Sequence, residues 1–221
     1  MDRLSLDGAP RIDVTLRTSP RARRLTLRVA PSGEVVLTRP LRVARAEAVA
    51  FARAKRDWIA ARLVGTGPRR PRIGGTIPFR GSEAPIREGR ERIEGGAVHV
   101  AGAPGPSAAR LLKAHARAAL TESAGRYAAV LGRPHGRITL RDTRSRWGSC
   151  SERGDLSFSW RLAMAPPGVL DYVAAHEVAH LARMDHSPAY WAGLARLMPG
   201  YEAPRRWLKE HGRGLLAWDF A

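Results

Sequence analysis

The sequence predicts an α+β fold for this chain of 221 residues, and three observations predict it. Short stretches near 11–17 and 23–29 alternate polar and apolar residues, as half-buried strands do. Longer stretches, such as 43–63 and 107–131, repeat apolar residues at helical spacing. The two kinds do not alternate as βαβ units. They run strands, helix, strands, helix, two strands, then helices, which is the order of an α+β fold.

Taken in turn, 11–17 (RIDVTLR) and 23–29 (RRLTLRV) are strands, Pro31-Ser32-Gly33 is a turn and 34–38 is a third strand. Together they predict a small antiparallel meander closed by Pro40. One long helix follows over 43–63, with Val49, Ala50 and Ile59 at helical spacing and Phe51 and Trp58 beside them. Residues 65–75, rich in Gly, Pro and Arg, read as a loop. Short strands are predicted at 76–80, 85–88 and 97–100. The stretch 101–107 (AGAPGPS) reads as a linker, with Ser107 placed to cap a helix running to Leu131. This puts a boundary near 105, between a β-rich N-terminal region with one long helix (1–104) and a C-terminal domain (105–221). Strands return at 137–141 and 156–160, and helices at 167–183, 187–198 and 203–211.

Hydrophobic residues make up 44% of the chain, enough for a packed core. The lone cysteine, Cys150, excludes an intramolecular disulfide framework. The first ten residues include acidic residues and no apolar run, so they do not read as a secretory signal. No stretch is apolar for long enough to span a bilayer. These features predict a cytoplasmic protein with no membrane partner. The net charge is +18, and only three of the 38 basic residues are lysines. That excess has two readings: an arginine-rich composition common to GC-rich coding sequence, or a basic surface for a nucleic-acid partner. It is not confined to one segment, since residues 1–105 hold 21 basic and 10 acidic residues and 106–221 hold 17 and 10.

The chemistry concentrates in His176-Glu177-Val-Ala-His180. Residues four apart lie one turn along the same helix face, so both imidazoles can converge on one ion. Glu177 is rotated by about 100° from His176, where a carboxylate can reach a water on the metal without being a ligand. A catalytic zinc takes three protein ligands and keeps one open position. The third candidate is His186. A helix continued straight from His180 would carry His186 away from the metal face, but Ser187-Pro188 looks like an N-cap followed by proline at the first helical position, so the helix stops first. The metzincin pattern has a glycine three residues after the second histidine, whereas this chain has Arg183. Glu202 is the alternative third ligand. His99, His115, His135 and His211 are isolated and read as ordinary histidines.

Upstream lie 144–151 (RSRWGSCS) and 155–162 (DLSFSWRL). Leu156, Phe158 and Trp160 share one strand face. Such a strand either borders the cleft, where an extended peptide can pair with its edge, or only supports the helix. Cys150 reads as a small buried residue, and Trp147, Trp160 and Trp191 read as core. Tyr190, Tyr201, Arg161 and His211 are all candidates for stabilising a developing oxyanion.

The residues Arg146-Trp147-Gly148-Ser149-Cys150-Ser151, Trp160-Arg161-Leu162, Leu170-Asp171-Tyr172-Val173, His176-Glu177 with His180-Leu181, His186-Ser187, Tyr190-Trp191 and Trp207-Leu208 resemble the YgjP-like metallopeptidase family, itself similar to SprT-like and WLM zinc proteases. The close resemblance covers about 137–211. It implies a minimal zincin-like fold, Zn2+ held by His176, His180 and His186, and hydrolysis of peptide or protein substrates. The residues themselves predict a zinc-dependent hydrolase with Glu177 as general base. A hydrolase of another bond, such as a nucleotide phosphoester, and a nucleic-acid-associated protein with structural zinc are the alternatives. Oligomeric state is not legible.

Overall fold

The structure, a computed structural model, describes residues 2–8, 11–30, 33–63, 69–143 and 145–221. Pro31 and Ser32 of the expected turn, 65–68 of the expected loop and Arg144 lie outside the described residues. The architecture is mixed α+β, with six α-helices and three small sheets among the described residues. The chain forms two compact units, 1–69 and 70–221.

In the first unit, β1 (Asp2–Leu6), β2 (Ile12–Ser19), β3 (Thr26–Val29) and β4 (Val35–Pro40) make one sheet in the order β1-β2-β4-β3. The alternation in β2 buries Ile12, Val14 and Leu16 together. Val29, Val35 and Leu37 join them, and Ala48, Ala52 and Ile59 complete the cluster. The expected antiparallel meander does not form. β2 pairs with β4 in parallel, and β3 takes the outer position antiparallel to β4. The expected single helix is two, α1 (Arg45–Ala54) and α2 (Arg56–Leu63). At Lys55 the backbone N–H is shared between the carbonyls of Phe51 and Ala52, a tightening that ends α1.

The second unit begins with β5 (Thr76–Phe79), β6 (Ser82–Glu88), β7 (Arg92–Glu94) and β8 (Ala97–Val100), in the order β5-β6-β8-β7. Ile77, Ile86, Val98 and Val100 lie in the same apolar cluster as Leu112 and Leu120 of α3 (Pro104–Leu131). This shared burial is why the units divide at 69/70 rather than near 105. The presumed linker is the entry to α3, with Pro104 at its first position. Ser107 is not its cap; its hydroxyl donates to Glu91 and accepts from the N–H of Ala101. Along α3 the residues Ala108, Leu112, Ala116, Leu120, Ala124 and Ala128 are all buried, four apart. Gly132, at φ 69°, ends the helix in the left-handed conformation.

A second small sheet follows, ordered β10-β11-β9, from β9 (Ile138–Arg141), β10 (Gly148–Cys150) and β11 (Leu156–Ser159). β9 runs parallel to β11 and β10 antiparallel to it, so β10 is an edge strand. A single 3₁₀ stretch, Trp160–Met164, leads into α4 (Pro167–Ala179), α5 (Pro188–Leu197) and α6 (Glu202–Leu216). α4 is buried on nearly every side, as its apolar composition requires. Asp171 ties it to α3 by accepting from Ser123, Arg126 and Tyr127. α6 outruns its expected end at His211. Gly212 does not stop the helix; a Cβ there would collide with the Trp147 ring, so glycine permits close packing.

Candidate metal centre

Two local signals bring His176, His180 and His186 together. The first ends α4 at Ala179, four residues before the expected Arg183. Leu181 and Ala182 donate to the carbonyls three residues back, at Val178 and Ala179, closing the last turn in 3₁₀ fashion. The second starts α5. Ser187 is its N-cap, accepting from the N–H of Tyr190, and Pro188 occupies the first position. His186 therefore sits on the turn between two helices, and the chain folds it back over the face that bears His176 and His180.

One ring nitrogen from each of the three histidines lies within 4.8 Å of the others. The His176 and His186 Nε2 atoms stand 3.3 Å apart. His180 Nδ1 is 3.1 Å from the Arg183 carbonyl. With the proton placed on Nδ1, that contact leaves Nε2 as a lone-pair donor, the arrangement that orients metal-binding imidazoles. His176 Nδ1 is buried, with no hydrogen-bond partner among the described residues. Burial, reinforced by the neighbouring histidines, pushes His176 down to about 4, so the ring is neutral at pH 7. Burial also lowers His180. Three imidazoles with converging nitrogens are a donor set that can hold a divalent cation. Glu202, the alternative third ligand, is not in this group.

Tyr190 forms the floor. Its ring lies 4.6 Å from His180, 4.9 Å from His186 and 5.5 Å from His176. Its hydroxyl donates to the His176 carbonyl at 2.9 Å. Sequence reading treated Tyr190 only as an oxyanion donor, yet its hydroxyl is committed to the backbone. Arg161 is likewise committed: its guanidinium pairs with Asp142 and donates to the carbonyls of Leu215 and Trp218. Tyr201 stacks between Tyr172 and Trp191. His211 packs beside Trp207.

Glu177 is buried, only 5% exposed. Burial raises its carboxyl to about 8, and the Arg146 guanidinium opposes that shift. Its side chain lies directly over Gly148 of β10, where a Cβ would overlap the carboxylate. The glycine of 146–151 is thus what lets the edge strand approach this helix, a role that spacing alone did not reveal. Trp160 is buried, while Trp147 and Trp191 pack against the core from its margin. Cys150 is only half-buried, short of the expected burial; desolvation pushes its thiol up to about 11.

No helix among the described residues is long and apolar enough to cross a membrane. No similar curated protein and no similar solved structure was found. A family model described as "YgjP-like, metallopeptidase domain" matches residues 23–211, which is most of the chain and takes in the three histidines, Glu177 and the Gly148 strand. The chain belongs to the YgjP-like metallopeptidase domain family.

Proposed function

We propose that this protein is a zinc-dependent peptidase of the H-E-x-x-H type, with a minimal zincin-like catalytic region, in which His176, His180 and His186 hold Zn2+ and Glu177 is the general base. The observation that carries the reading is the convergence of the three histidine nitrogens within 4.8 Å, with a buried carboxylate on the adjacent residue of the same helix. Zinc in such a site supplies Lewis acidity, polarising the scissile carbonyl and lowering the pKa of a water. With the cation bound, its charge would favour the ionised carboxylate, and Glu177 would take a proton from the attacking water and return it to the leaving nitrogen. Its burial keeps bulk solvent from the proton transfer, and the Gly148 backbone beneath it holds the carboxylate in one place. The free edge of β10 offers backbone groups on which an extended peptide can align beside α4. Among the described residues no second cluster of metal-binding side chains accompanies the histidines, which favours this reading over a two-metal phosphoester hydrolase. A cytoplasmic location remains part of the proposal.

Glu177→Gln tests the assignment. The variant keeps one zinc per chain by elemental analysis and loses peptide hydrolysis by a factor of at least about 1,000. Retained turnover refutes the role of Glu177, and a wild-type protein that binds no zinc refutes the ligand set.

A further inference from the structure

One wall of the histidine cluster is a ladder of aromatic rings. Tyr172 and Tyr201 stack at 6.3 Å and 13°, and Tyr201 and Trp191 at 5.7 Å and 18°. Tyr172 lies 5.8 Å from His176, and Trp191 lies 5.9 Å from His176 and 5.7 Å from His186. The ladder is capped by Arg205 of α6, whose guanidinium carbon stands 4.4 Å from the centre of the Trp191 ring.

Stacking uses the flat face of a guanidinium and leaves its edge N–H donors free. The Arg205 guanidinium makes no hydrogen bond or ion pair among the described residues. Glu202 stands one turn before it on α6, yet the two do not pair. The contrast with other arginines is direct. Arg45, Arg110, Arg126 and Arg161 each hold a carboxylate. Arg205 is instead held in position by a ring that also touches two of the three histidines. A fixed cation beside a site that takes a dication is electrostatically unfavourable until an anion answers it. Among the described residues no carboxylate pairs with Arg205.

We propose that Arg205 is the specificity residue of the cleft and binds a carboxylate of the substrate, either an acidic side chain near the scissile bond or the free C-terminus, against the aromatic wall formed by Trp191. This rests on the peptidase reading, and the charge Arg205 exerts on His176, Tyr172 and Tyr190 agrees with its closeness to the site. Arg205 is a specificity residue, not a ligand or base, so its loss changes which peptides bind without removing the metal.

The test uses full-length, zinc-loaded Glu177→Gln protein and N-terminally labelled octapeptides, read by fluorescence anisotropy. One peptide set carries a single Glu with an amidated C-terminus, one carries Gln with a free C-terminus, and one carries Gln with an amide. The carboxylate-bearing set that matches the site binds about 10-fold or more tightly than the neutral set. Arg205→Ala abolishes that difference, leaves the neutral peptides and the zinc content unchanged, and Arg205→Lys restores part of it. Which of the first two sets is preferred identifies the source of the carboxylate. Equal binding of all three sets, no binding of any, or an equal weakening of all three in Arg205→Ala overturns the proposal. Wild-type cleavage of the same peptides separates the two ideas. Cleavage with no Glu, C-terminus or Arg205 dependence sinks the carboxylate subsite alone, and selective binding without wild-type cleavage sinks the peptidase reading alone.

Discussion

At the scale of single residues, the site depends on atoms that touch Glu177. The Gly148 Cα lies where a methyl group would strike the carboxylate. Gly148→Ala therefore moves Glu177 rather than the histidines, and the expected result is about 100-fold lower peptidase activity with zinc content unchanged. The buried carboxyl also has a stability signature. Folded Glu177 keeps its proton up to about 8, whereas an unfolded glutamate loses it near 4.5. The folded state then binds more protons than the unfolded one, so raising the pH through this window favours unfolding. His176, lowered to about 4 from 6.5, acts the other way but only below pH 6.5. Zinc-free protein should thus lose up to about 2 kcal/mol between pH 6.5 and 8, and Glu177→Gln should flatten that slope, as urea melts at the two pH values will measure. The closeness of His176 and His180 was legible because four-residue spacing places side chains on one helix face. Tyr190, Trp191 and Arg205 were not legible as neighbours of the histidines, because their proximity arises from how α4, α5 and α6 pack, which no local spacing encodes.

At the scale of elements, the turn between α4 and α5 is held by one cap. Ser187 accepts from the N–H of Tyr190, and Tyr190 in turn supports all three imidazoles. Ser187→Ala removes about 1 kcal/mol of helix stability. It should also weaken zinc binding through His186, a loss that competition with a chelating dye will detect. The Ser-Pro signal for this helix start was legible, and α5 begins where it predicts. The sheet of the first unit was legible only as strands. Alternation says which face of β2 is buried, but β2 and β3 carry similar patterns, and nothing in the alternation states that β4 inserts between them in parallel to β2. α6 runs on past the expected 211, through Gly212, where the absence of a side chain admits the Trp147 ring, a contact no local spacing encodes.

At the scale of the whole molecule, the α+β class follows from the order of patterns along the chain, but the division into units does not. A Gly- and Pro-rich stretch such as 101–107 marks a linker or a helix entry equally well, and here Pro104 begins α3. The site joins segments distant in sequence, with β10, α4, the α4–α5 turn and α6 all contributing. The proposed zinc would link α4 to the turn that follows it, so its removal should be felt beyond the site. With zinc at about 100 times its dissociation constant, chelation lowers the stability of the protein by about 2.7 kcal/mol, which a thermal melt with and without chelator will register. The buried line on α3 has a further effect. Positions four apart advance by about 40° around a helix of 3.6 residues per turn, so the line from Ala108 to Ala128 winds around the rod and does not run straight along it. Its first turns bond just past β8 through Ser107 and Ala101, and its later turns bond to Asp171 of α4 through Ser123, Arg126 and Tyr127. The helix behaves as a keyed shaft: deleting one residue at its exposed middle, such as Ala118, would twist its two ends out of phase and uncouple the β5–β8 sheet from the helix that bears the histidines.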